Sequence, residues 1–197
     1  MAEQEKLPEP SAAGRRRSDQ SHKAILQATR DVLEQAGYRA MTIEAIAAKA
    51  GVGKKTIYRW WHSKAAVTLE ALTASIDAPT HFPDTGSLGN DLLTYFAQAF
   101  PDLRGKSGTV LSGLAAEAQL DPEFAQQFQQ RFIVPMKAGL VVLLQRGQQR
   151  GELASDINLE VLADLIYGAK WYRFLLYPAP LDEAFARDIV QIILRLS

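Results

Sequence analysis

The sequence predicts an all-α protein of about nine helices. Apolar residues recur at the i, i+3, i+4 spacing of amphipathic helices along most of the 197 residues. No stretch of any length alternates apolar and polar residues as a half-buried strand does. Residues that cap helices precede these apolar runs, and glycine or proline follows several of them. Hydrophobic residues form 47% of the chain, enough for a sizeable core.

The composition argues against several kinds of site. There is no cysteine, which removes disulfides, thiolate metal sites and a cysteine nucleophile. His22, His62 and His81 lack ligand spacing, so we expect no metal and no cofactor. No catalytic residues are predicted, because the HExxH, P-loop and dinucleotide-binding patterns are missing. The sequence shows neither a secretory signal nor a membrane-spanning stretch, so we expect a cytoplasmic protein without membrane contact.

The charges are distributed unevenly along the chain. The formal net charge is zero. Residues 14–64 hold eleven lysines and arginines and four acids, a net charge of +7. Residues 65–197 hold ten basic and fifteen acidic residues, a net charge of −5. A basic amino-terminal segment on an acidic body is typical of a nucleic-acid-binding head.

Residues 1–20 are predicted to form a disordered basic arm. They contain prolines, small residues and charges, with little to bury, and include the run Arg15–Arg17. Basic arms follow phosphates or enter a minor groove. A solubilising tail explains the same composition, and both interpretations remain open.

Residues 21–64 are predicted to form a three-helix head. The first helix begins at Ser21 and stops at Gly37. Thr42 caps the second, which ends at Gly51, and a short third helix spans about Lys54–Trp60. Two short helices joined by a glycine turn form a helix-turn-helix. The stretch "GVGKKTIYRWWHSK" concentrates cations and aromatic residues on the second of these helices.

Residues 65–197 are predicted to form a helical body. A fourth helix opens at Ser63 and Lys64, and a loop rich in Pro, Gly, Asp and Thr spans 78–90. We expect Pro101 to close the next helix and Pro135 to kink or break a longer one. Asp121, Asn158 and Asp182 are the expected caps of later helices.

The segment from Thr42 to Lys64 resembles the helix-turn-helix of the TetR/AcrR family of bacterial transcriptional regulators, almost position by position. Gly53 departs from the family's usual serine, which weakens the cap of the third helix, and Trp61 replaces the usual phenylalanine. The resemblance implies a homodimer with two DNA-binding heads. It also implies a helical body that holds a ligand pocket and the dimer interface, and release of DNA on ligand binding.

The third helix would lie in the major groove. Its first turn would contact base edges, and the other candidates would position phosphates. The predicted DNA-binding residues are Thr42, Lys54, Lys55, Thr56, Tyr58, Trp60 and Lys64. We expect Trp61 to pack in the core of the head instead.

A ligand pocket in the body would need inward-facing aromatic side chains. The predicted ligand-binding residues are Phe96, Phe100, Phe128, Phe132, Met136, Trp171 and Tyr172. For each of them a plain core role remains open. We expect an apolar or aromatic effector, with an anionic group left open because Lys170 and Arg173 lie nearby in the sequence.

The last two helices are the candidates for a four-helix dimer seam. The predicted interface residues are Leu162, Ile166, Ala169, Phe185, Ile189, Ile192 and Ile193. An intramolecular core is the alternative, and both roles can coexist. Symmetric pairing of two chains is expected on general grounds.

The function predicted is that of a ligand-responsive DNA-binding transcriptional regulator. We expect a repressor that a small molecule releases from a palindromic operator. Its partners would be double-stranded DNA, the effector and a second copy of the chain. The alternatives are a helical ligand- or protein-binding module that no longer binds DNA, and a helical enzyme, for which the sequence offers no motif.

Overall fold

The computed structural model describes residues 12–74, 82–177 and 179–196, with side chains from residue 18 onward. These residues form helices and connecting turns, which confirms the all-α fold class. The elements are α1 (Ala12–Ala40), α2 (Ile43–Ala50), α3 (Lys54–Tyr58), α4 (Lys64–Thr73), α5 (Leu88–Arg104), α6 (Lys106–Leu120), α7 (Pro122–Phe128), a π-helical turn (Gln129–Ile133), α8 (Val134–Gln149), α9 (Leu159–Leu175) and α10 (Glu183–Leu194). Because α7, the π turn and α8 are continuous, the described chain contains nine helical segments.

The first helix is longer than the sequence suggested. It begins at Ala12 rather than at Ser21, so the backbone of residues 12–20 is helical where a disordered arm was predicted. Residues 1–11 of that arm lie outside the described residues, as do the side chains of Arg15–Arg17. At its other end, Gly37 has φ 73° and ψ 167°, which interrupts the helix where a stop was predicted.

Side-chain caps fix the other helix starts. Thr42 Oγ1 accepts a hydrogen bond from the Ala45 amide at 3.1 Å, and Ser63 Oγ accepts one from the Ala66 amide at 3.1 Å. The predicted caps of α7, α9 and α10 are confirmed in the same way by Asp121, Asn158 and Asp182. These local hydrogen bonds satisfy donors that a helix leaves unpaired.

Pro101 acts differently from the prediction, whereas the α-helical pattern is interrupted next to Pro135. Helix α5 continues past Pro101 to Arg104. Pro101 and Ala97 are both exposed, so the carbonyl that the proline leaves without a donor lies on the outer side of the helix. Pro135 follows the π turn, in which the Val134 amide donates to the Gln129 carbonyl. A π turn is one of the features at which long helices kink, as expected here from Pro135.

Two hydrophobic cores build the molecule. The first, here named the head core, joins the buried faces of α1–α4 to Val110 and Leu114 of α6 and to Phe124 and Phe128 of α7. The second, the distal core, joins α5, α8, α9 and α10. Helix α4 packs wholly within the head core, so the sequence division at residue 64 does not separate two cores.

Among the described residues, no helix is long and apolar enough to cross a membrane. Nor does that part of the chain gather three or more His, Asp or Glu side chains that could hold a metal ion.

Candidate nucleic-acid interface and internal cavity

The helix-turn-helix consists of α2, a tight turn and α3. Gly51 adopts the left-handed conformation with φ 66°, and the Val52 amide donates to the Ala47 carbonyl at 3.0 Å. Ile46 and Ala47 of α2 and Ile57 of α3 are buried in the head core. This packing holds one side of α3 against α2 and leaves the other side facing solvent.

The outer side of α3 presents cations and hydroxyl groups. Lys54 and Lys55 are exposed, Thr56 is half-buried, and Tyr58 is 49% exposed. Gly53 precedes the helix and supplies no side-chain hydrogen bond to its first turn. The weak cap expected from the sequence is therefore present, and packing of the buried side must hold this short helix in place.

The two lysines at the start of α3 have different partners. Lys54 Nζ forms an ion pair with Glu44 Oε1 at 2.9 Å, and both side chains are exposed. That hydrogen bond raises the pKa of Lys54 and lowers the pKa of Glu44. Lys55 forms no ion pair with any described residue. A phosphate or base can therefore meet Lys55 directly, whereas Lys54 must first leave Glu44.

Three other predicted DNA-binding residues already have contacts within the chain. Thr42 caps α2. Lys64 Nζ donates to the Tyr38 carbonyl at 3.1 Å and lies 4.5 Å from the centroid of the Tyr38 ring. Trp60 is half-buried, with the Arg59 guanidinium 4.9 Å from its ring centroid. These residues contribute to the fold, and their phosphate contacts stay a prediction.

Trp61 and Glu70 connect the head to the body. Trp61 is 3% exposed, which confirms its predicted place in the core. Its Nε1 donates to Glu70 Oε2 at 2.9 Å. Glu70 also pairs with His22 Nε2 of α1 at 2.9 Å and with Arg131 Nη1 of the π turn at 3.2 Å. Sequence reasoning missed this carboxylate, because most of its partners lie far away along the chain.

A cavity of about 680 Å³ lies between the head core and the distal core. Both cores contribute walls to it: Leu72 and Phe128 belong to the first, and Leu103 to the second. The full lining is Leu72, Ala99, Asp102, Leu103, Ser107, Leu111, Ala115, Phe128, Phe132, Ile133, Met136, Lys137, Asp164, Tyr167, Lys170, Trp171 and Leu175. Mainly apolar walls with a few polar groups and this volume are typical of small-molecule sites.

Part of the predicted ligand-binding set lies at this cavity. Phe128, Phe132, Met136 and Trp171 line it. Phe96 and Phe100 do not, because α5 turns them into the distal core beside a separate groove against α10. Tyr172 is 53% exposed and stacks on Tyr177 with ring centroids 5.7 Å apart, so it faces away from the cavity.

The sequence indicated Lys170 only as a charge near the aromatic candidates, and the structure places it in the cavity wall. Lys170 of α9 is only 5% exposed, and its Nζ donates to Tyr95 Oη at 2.8 Å. Desolvation by burial lowers the pKa of Lys170 to about 7 and raises the pKa of Tyr167 to about 12. The available signal was a lysine whose neighbours one turn away, Ile166 and Phe174, are both apolar.

The predicted dimer seam needs correction. Leu162, Ile166, Ile189 and Ile193 are buried within the single chain, so they belong to the distal core and offer no surface to a partner. Ala169 and Phe185 are half-buried, and Ile192 is 63% exposed. The opposite face of α9 carries exposed apolar side chains instead: Val161, Leu165, Tyr172 and, at its end, Leu176. Leu175 is also exposed and borders the cavity.

Two family models match the chain. Residues 25–71 match "Bacterial regulatory proteins, tetR family", and residues 82–193 match "Tetracyclin repressor-like, C-terminal domain". The first match covers the helix-turn-helix with α4. The second covers the body that contains the cavity.

Similar proteins extend this result over nearly the whole chain. The chain is 38% identical over 180 residues to the uncharacterized HTH-type transcriptional regulator YdeS of Bacillus subtilis (strain 168), covering 91% of each. It is 30% identical to the TetR family transcription regulator SCO0332, whose crystal structure gives a TM-score of 0.76 and covers 90% of this chain and 98% of that one. The regulator FadR from Bacillus subtilis, solved in complex with stearoyl-CoA, has the same fold, with a TM-score of 0.66 at 18% identity over 88% and 97% of the two chains.

Proposed function

We propose that the chain, which belongs to the TetR family of bacterial regulatory proteins, represses transcription as a homodimer until a small apolar molecule fills its cavity. Family membership makes it a transcriptional regulator with a DNA-binding helix-turn-helix. The operator, the interface between copies and the release mechanism are the proposed parts. The position of the cavity between the two cores is the observation that carries the proposal.

DNA recognition would use the exposed side of α3. In the major groove each base pair presents a distinct pattern of donors and acceptors. Lys54, Lys55 and Thr56 stand on the first turn of α3, where helix-turn-helix proteins contact bases. Tyr58 would position a phosphate with its hydroxyl, together with the contacts proposed for Thr42, Trp60 and Lys64. Lys55 is the strongest candidate for a direct contact because it forms no ion pair with the described residues.

The two heads would be joined through the outer face of α9. Val161, Leu165 and Tyr172 are 53%, 66% and 53% exposed and follow one another at helical spacing. Ile192 of α10 adds a further exposed apolar side chain. Contiguous exposed apolar residues mark association surfaces, and a two-fold axis would pair α9 and α10 of each chain.

Two contacts could carry a change in the cavity to the head. Helix α4 lines the cavity with Leu72, and two residues earlier Glu70 holds Trp61 and His22. The π turn lines the cavity with Phe132, next to Arg131, which binds the same carboxylate. A ligand that displaces the π turn or α4 would therefore disturb the contacts that orient the head.

Helix α6 provides another route. It lines the cavity with Leu111 and Ala115. A Cβ added at Gly113 would lie 2.2 Å from the Tyr38 ring, so this glycine lets α6 pack directly on the end of α1. Lys64 in turn holds the Tyr38 carbonyl. Movement of α6 would thus reach the segment that leads into α2.

The mechanism is a shift between two populations of the dimer. The effector must bind the DNA-incompetent arrangement more tightly, since equal affinity for both arrangements shifts nothing. Allosteric coupling typically changes affinity by about 5–150-fold.

A selection experiment tests operator recognition. Purified protein is incubated with random duplexes at near-physiological salt, and the bound duplexes are sequenced. We expect a palindrome with half-sites roughly 34–36 Å apart or a multiple of that spacing. Recovery of no sequence preference and a shallow salt dependence would contradict DNA recognition, because phosphate contacts give a steep dependence on salt.

Filling the cavity by mutation tests the link to DNA. Ala115→Phe places a ring in the cavity, and we expect operator affinity to fall by about 5–150-fold. The control is Ala116→Phe, which makes the same change at the adjacent exposed position and should leave affinity unchanged. Equal operator affinity of Ala115→Phe and Ala116→Phe would argue against the coupling.

A charge on α9 tests the interface. We expect Leu165→Glu to dissociate the dimer in sedimentation velocity and to abolish tight operator binding. Val142→Glu on α8 is the matched control, since Val142 is 52% exposed but lies outside the proposed face. A Leu165→Glu protein that remains dimeric at micromolar concentration would place the interface elsewhere.

A further inference from the structure

The ammonium group of Lys170 lies in the cavity wall without an acidic partner. A protonated lysine has three N–H donors, and the Tyr95 hydroxyl accepts one of them at 2.8 Å. The Tyr167 ring lies beneath the ammonium, with its centroid 4.2 Å from Nζ. No described Asp or Glu forms an ion pair with Lys170.

The other charges around the cavity are satisfied or lie at its edge. Asp164 Oδ1 accepts from Lys137 Nζ at 2.7 Å, and Glu160 binds the same ammonium at 3.0 Å. Asp102 of α5 is exposed. The titratable groups that face Lys170 or share its cavity are Tyr95, Asp102, Lys137, Asp164 and Tyr167. Among the described residues that line the cavity, Lys170 is therefore the buried cation.

An unpaired ammonium in such a place is costly, because burial removes its water without replacing the hydrogen bonds. An apolar ligand without a hydrogen-bond acceptor would leave that cost unchanged. An anionic ligand would supply the missing acceptor in a setting of low dielectric constant, where charge-assisted hydrogen bonds are strong.

We infer that the effector is a lipophilic organic anion, an apolar body with one carboxylate or similar acid group whose oxygens accept hydrogen bonds from Lys170 Nζ. The inference rests on the proposed function, since it names the ligand class of the same cavity. Asp164 binds Lys137, and Asp102 is exposed, so neither of them pairs with Lys170. Lys170 is therefore the group that binds the acid group of the ligand.

The arrangement also links binding to pH. Burial lowers the pKa of Lys170 to about 7, and a bound anion raises it again. Above pH 7 the free protein has lost this proton and must take it up on binding. Affinity for the anion should therefore fall by up to about tenfold per pH unit above 7, and should level off below it.

Two fluorescent probes of matched shape test the inference. 1-Anilinonaphthalene-8-sulfonate carries a sulfonate, and N-phenyl-1-naphthylamine has the same aromatic body without a charge. Both are titrated into the wild-type protein, Lys170→Met and Lys106→Met. Lys106 is exposed and lies outside the cavity, so its substitution controls for loss of a positive charge.

We expect Lys170→Met to weaken binding of the sulfonate about 10–100-fold at pH 7 and to remove its pH dependence. The neutral probe should bind Lys170→Met as well as it binds the wild type, and Lys106→Met should behave as the wild type with both probes. Decanoate should displace either probe from the wild type far better than decanamide does.

The outcomes distinguish an error in the ligand class from an error in the ligand site. If the neutral probe binds one site per chain but Lys170→Met leaves the sulfonate affinity unchanged, the anion inference is wrong and the effector cavity stands. If neither probe binds the wild type, the cavity is not a ligand site, and both the inference and the proposed release mechanism fail. Equal loss of both probes in Lys170→Met would assign Lys170 a purely structural role and overturn the inference.

Discussion

Asp91 and Lys170 are the two charged residues that are buried among those the structure describes, and their surroundings differ. Asp91 Oδ1 accepts from the Thr85 amide at 2.6 Å and from the Thr85 hydroxyl at 2.8 Å, and Oδ2 pairs with Arg150 at 3.1 Å. Lys170 has one hydrogen bond, to a neutral hydroxyl.

The pKa values of the two residues reflect this difference. Burial alone raises the pKa of Asp91, but the hydrogen bonds from Thr85 and Arg150 outweigh it, and the net shift is downward. Burial lowers the pKa of Lys170, and no acidic partner opposes the shift. A buried charge with a full set of partners stabilises one conformation, whereas one without them destabilises the free protein and favours a ligand that completes it.

The Asp91 site also explains a short motif before the penultimate helix, "RGEL" at residues 150–153. Arg150 reaches Asp91, and Glu152 Oε2 accepts from the Leu88 amide at 2.7 Å. Gly151 between them has φ 73°, which a glycine adopts without strain. The motif thus fastens the end of α8 to the start of α5.

The largest expected effect is the loss of the Asp91 carboxylate. In Asp91→Asn one buried carboxylate oxygen becomes an amide NH2 that faces the Arg150 donor, and the charge-assisted hydrogen bonds are lost. We expect a loss of about 3–5 kcal/mol in the free energy of unfolding at pH 7. Because the folded-state pKa lies below the unfolded value of 3.8, this contribution is present above that value and is lost as pH falls through the folded-state pKa.

Urea unfolding at fixed chain concentration measures the Asp91→Asn effect. The exposed Asp188→Asn is the matched control and should change stability by less than about 0.5 kcal/mol. A similar small change in Asp91→Asn would show that the buried pair contributes no more than a surface charge.

Removing the Lys170 ammonium should increase the free energy of unfolding, in contrast to removing the Asp91 carboxylate. Its pKa is about 7 in the folded chain against 10.5 unfolded, so the unfolded chain binds more protons between these values and wild-type stability rises with pH there. We expect Lys170→Met to stabilise the protein by about 2–4 kcal/mol at pH 7. A pKa difference of one corresponds to about 1.36 kcal/mol, and the loss of the hydrogen bond to Tyr95 offsets part of the gain.

The gain from Lys170→Met should shrink steadily as the pH rises towards 10, which urea unfolding across pH 6–10 would follow. Lys106→Met should give a small change that does not vary with pH over that range. A destabilised Lys170→Met protein at every pH would mean that the lysine is a structural element like Asp91.

A smaller effect is expected at Glu70, which has three partners but keeps 24% of its side chain exposed. We expect Glu70→Gln to lower the free energy of unfolding by about 1 kcal/mol, because water replaces part of the stabilisation that the lost charge gave. It should also reduce the difference in operator affinity between Ala115→Phe and Ala116→Phe, because Arg131 loses its charged partner on α4. The control is Glu34→Gln, an exposed residue of α1.

Much of the head could be predicted from the sequence. The caps at Thr42 and Ser63, the turn at Gly51 and the outward cations of α3 depend on residues within a few positions of one another. Such local hydrogen bonds and backbone preferences need no distant partner to form. The start of α1 was missed because residues 12–20 carry few apolar side chains to signal a helix.

The body was predictable only in part. Helix α9 is apolar on most of its surface, so its periodicity does not indicate which side meets the distal core and which meets solvent. Leu162 and Ile166 were therefore assigned to the interface, although they are buried within the chain. The same uncertainty placed Tyr172 of α9 at a cavity that it does not line. Phe96 of α5 was placed there because a buried aromatic residue can belong to either core, and the sequence does not indicate which.

The sequence by itself determined the helical segments, the helix-turn-helix and the family, because these depend on local spacing and on a motif from Thr42 to Lys64. The tertiary structure decided which charged groups meet. Glu70 with Arg131, and Lys170 with Tyr95, are joined across 61 and 75 residues of chain. Pairing at such separations depends on how the helices pack. The helices take the positions in which the apolar side chains of both cores are buried and closely packed.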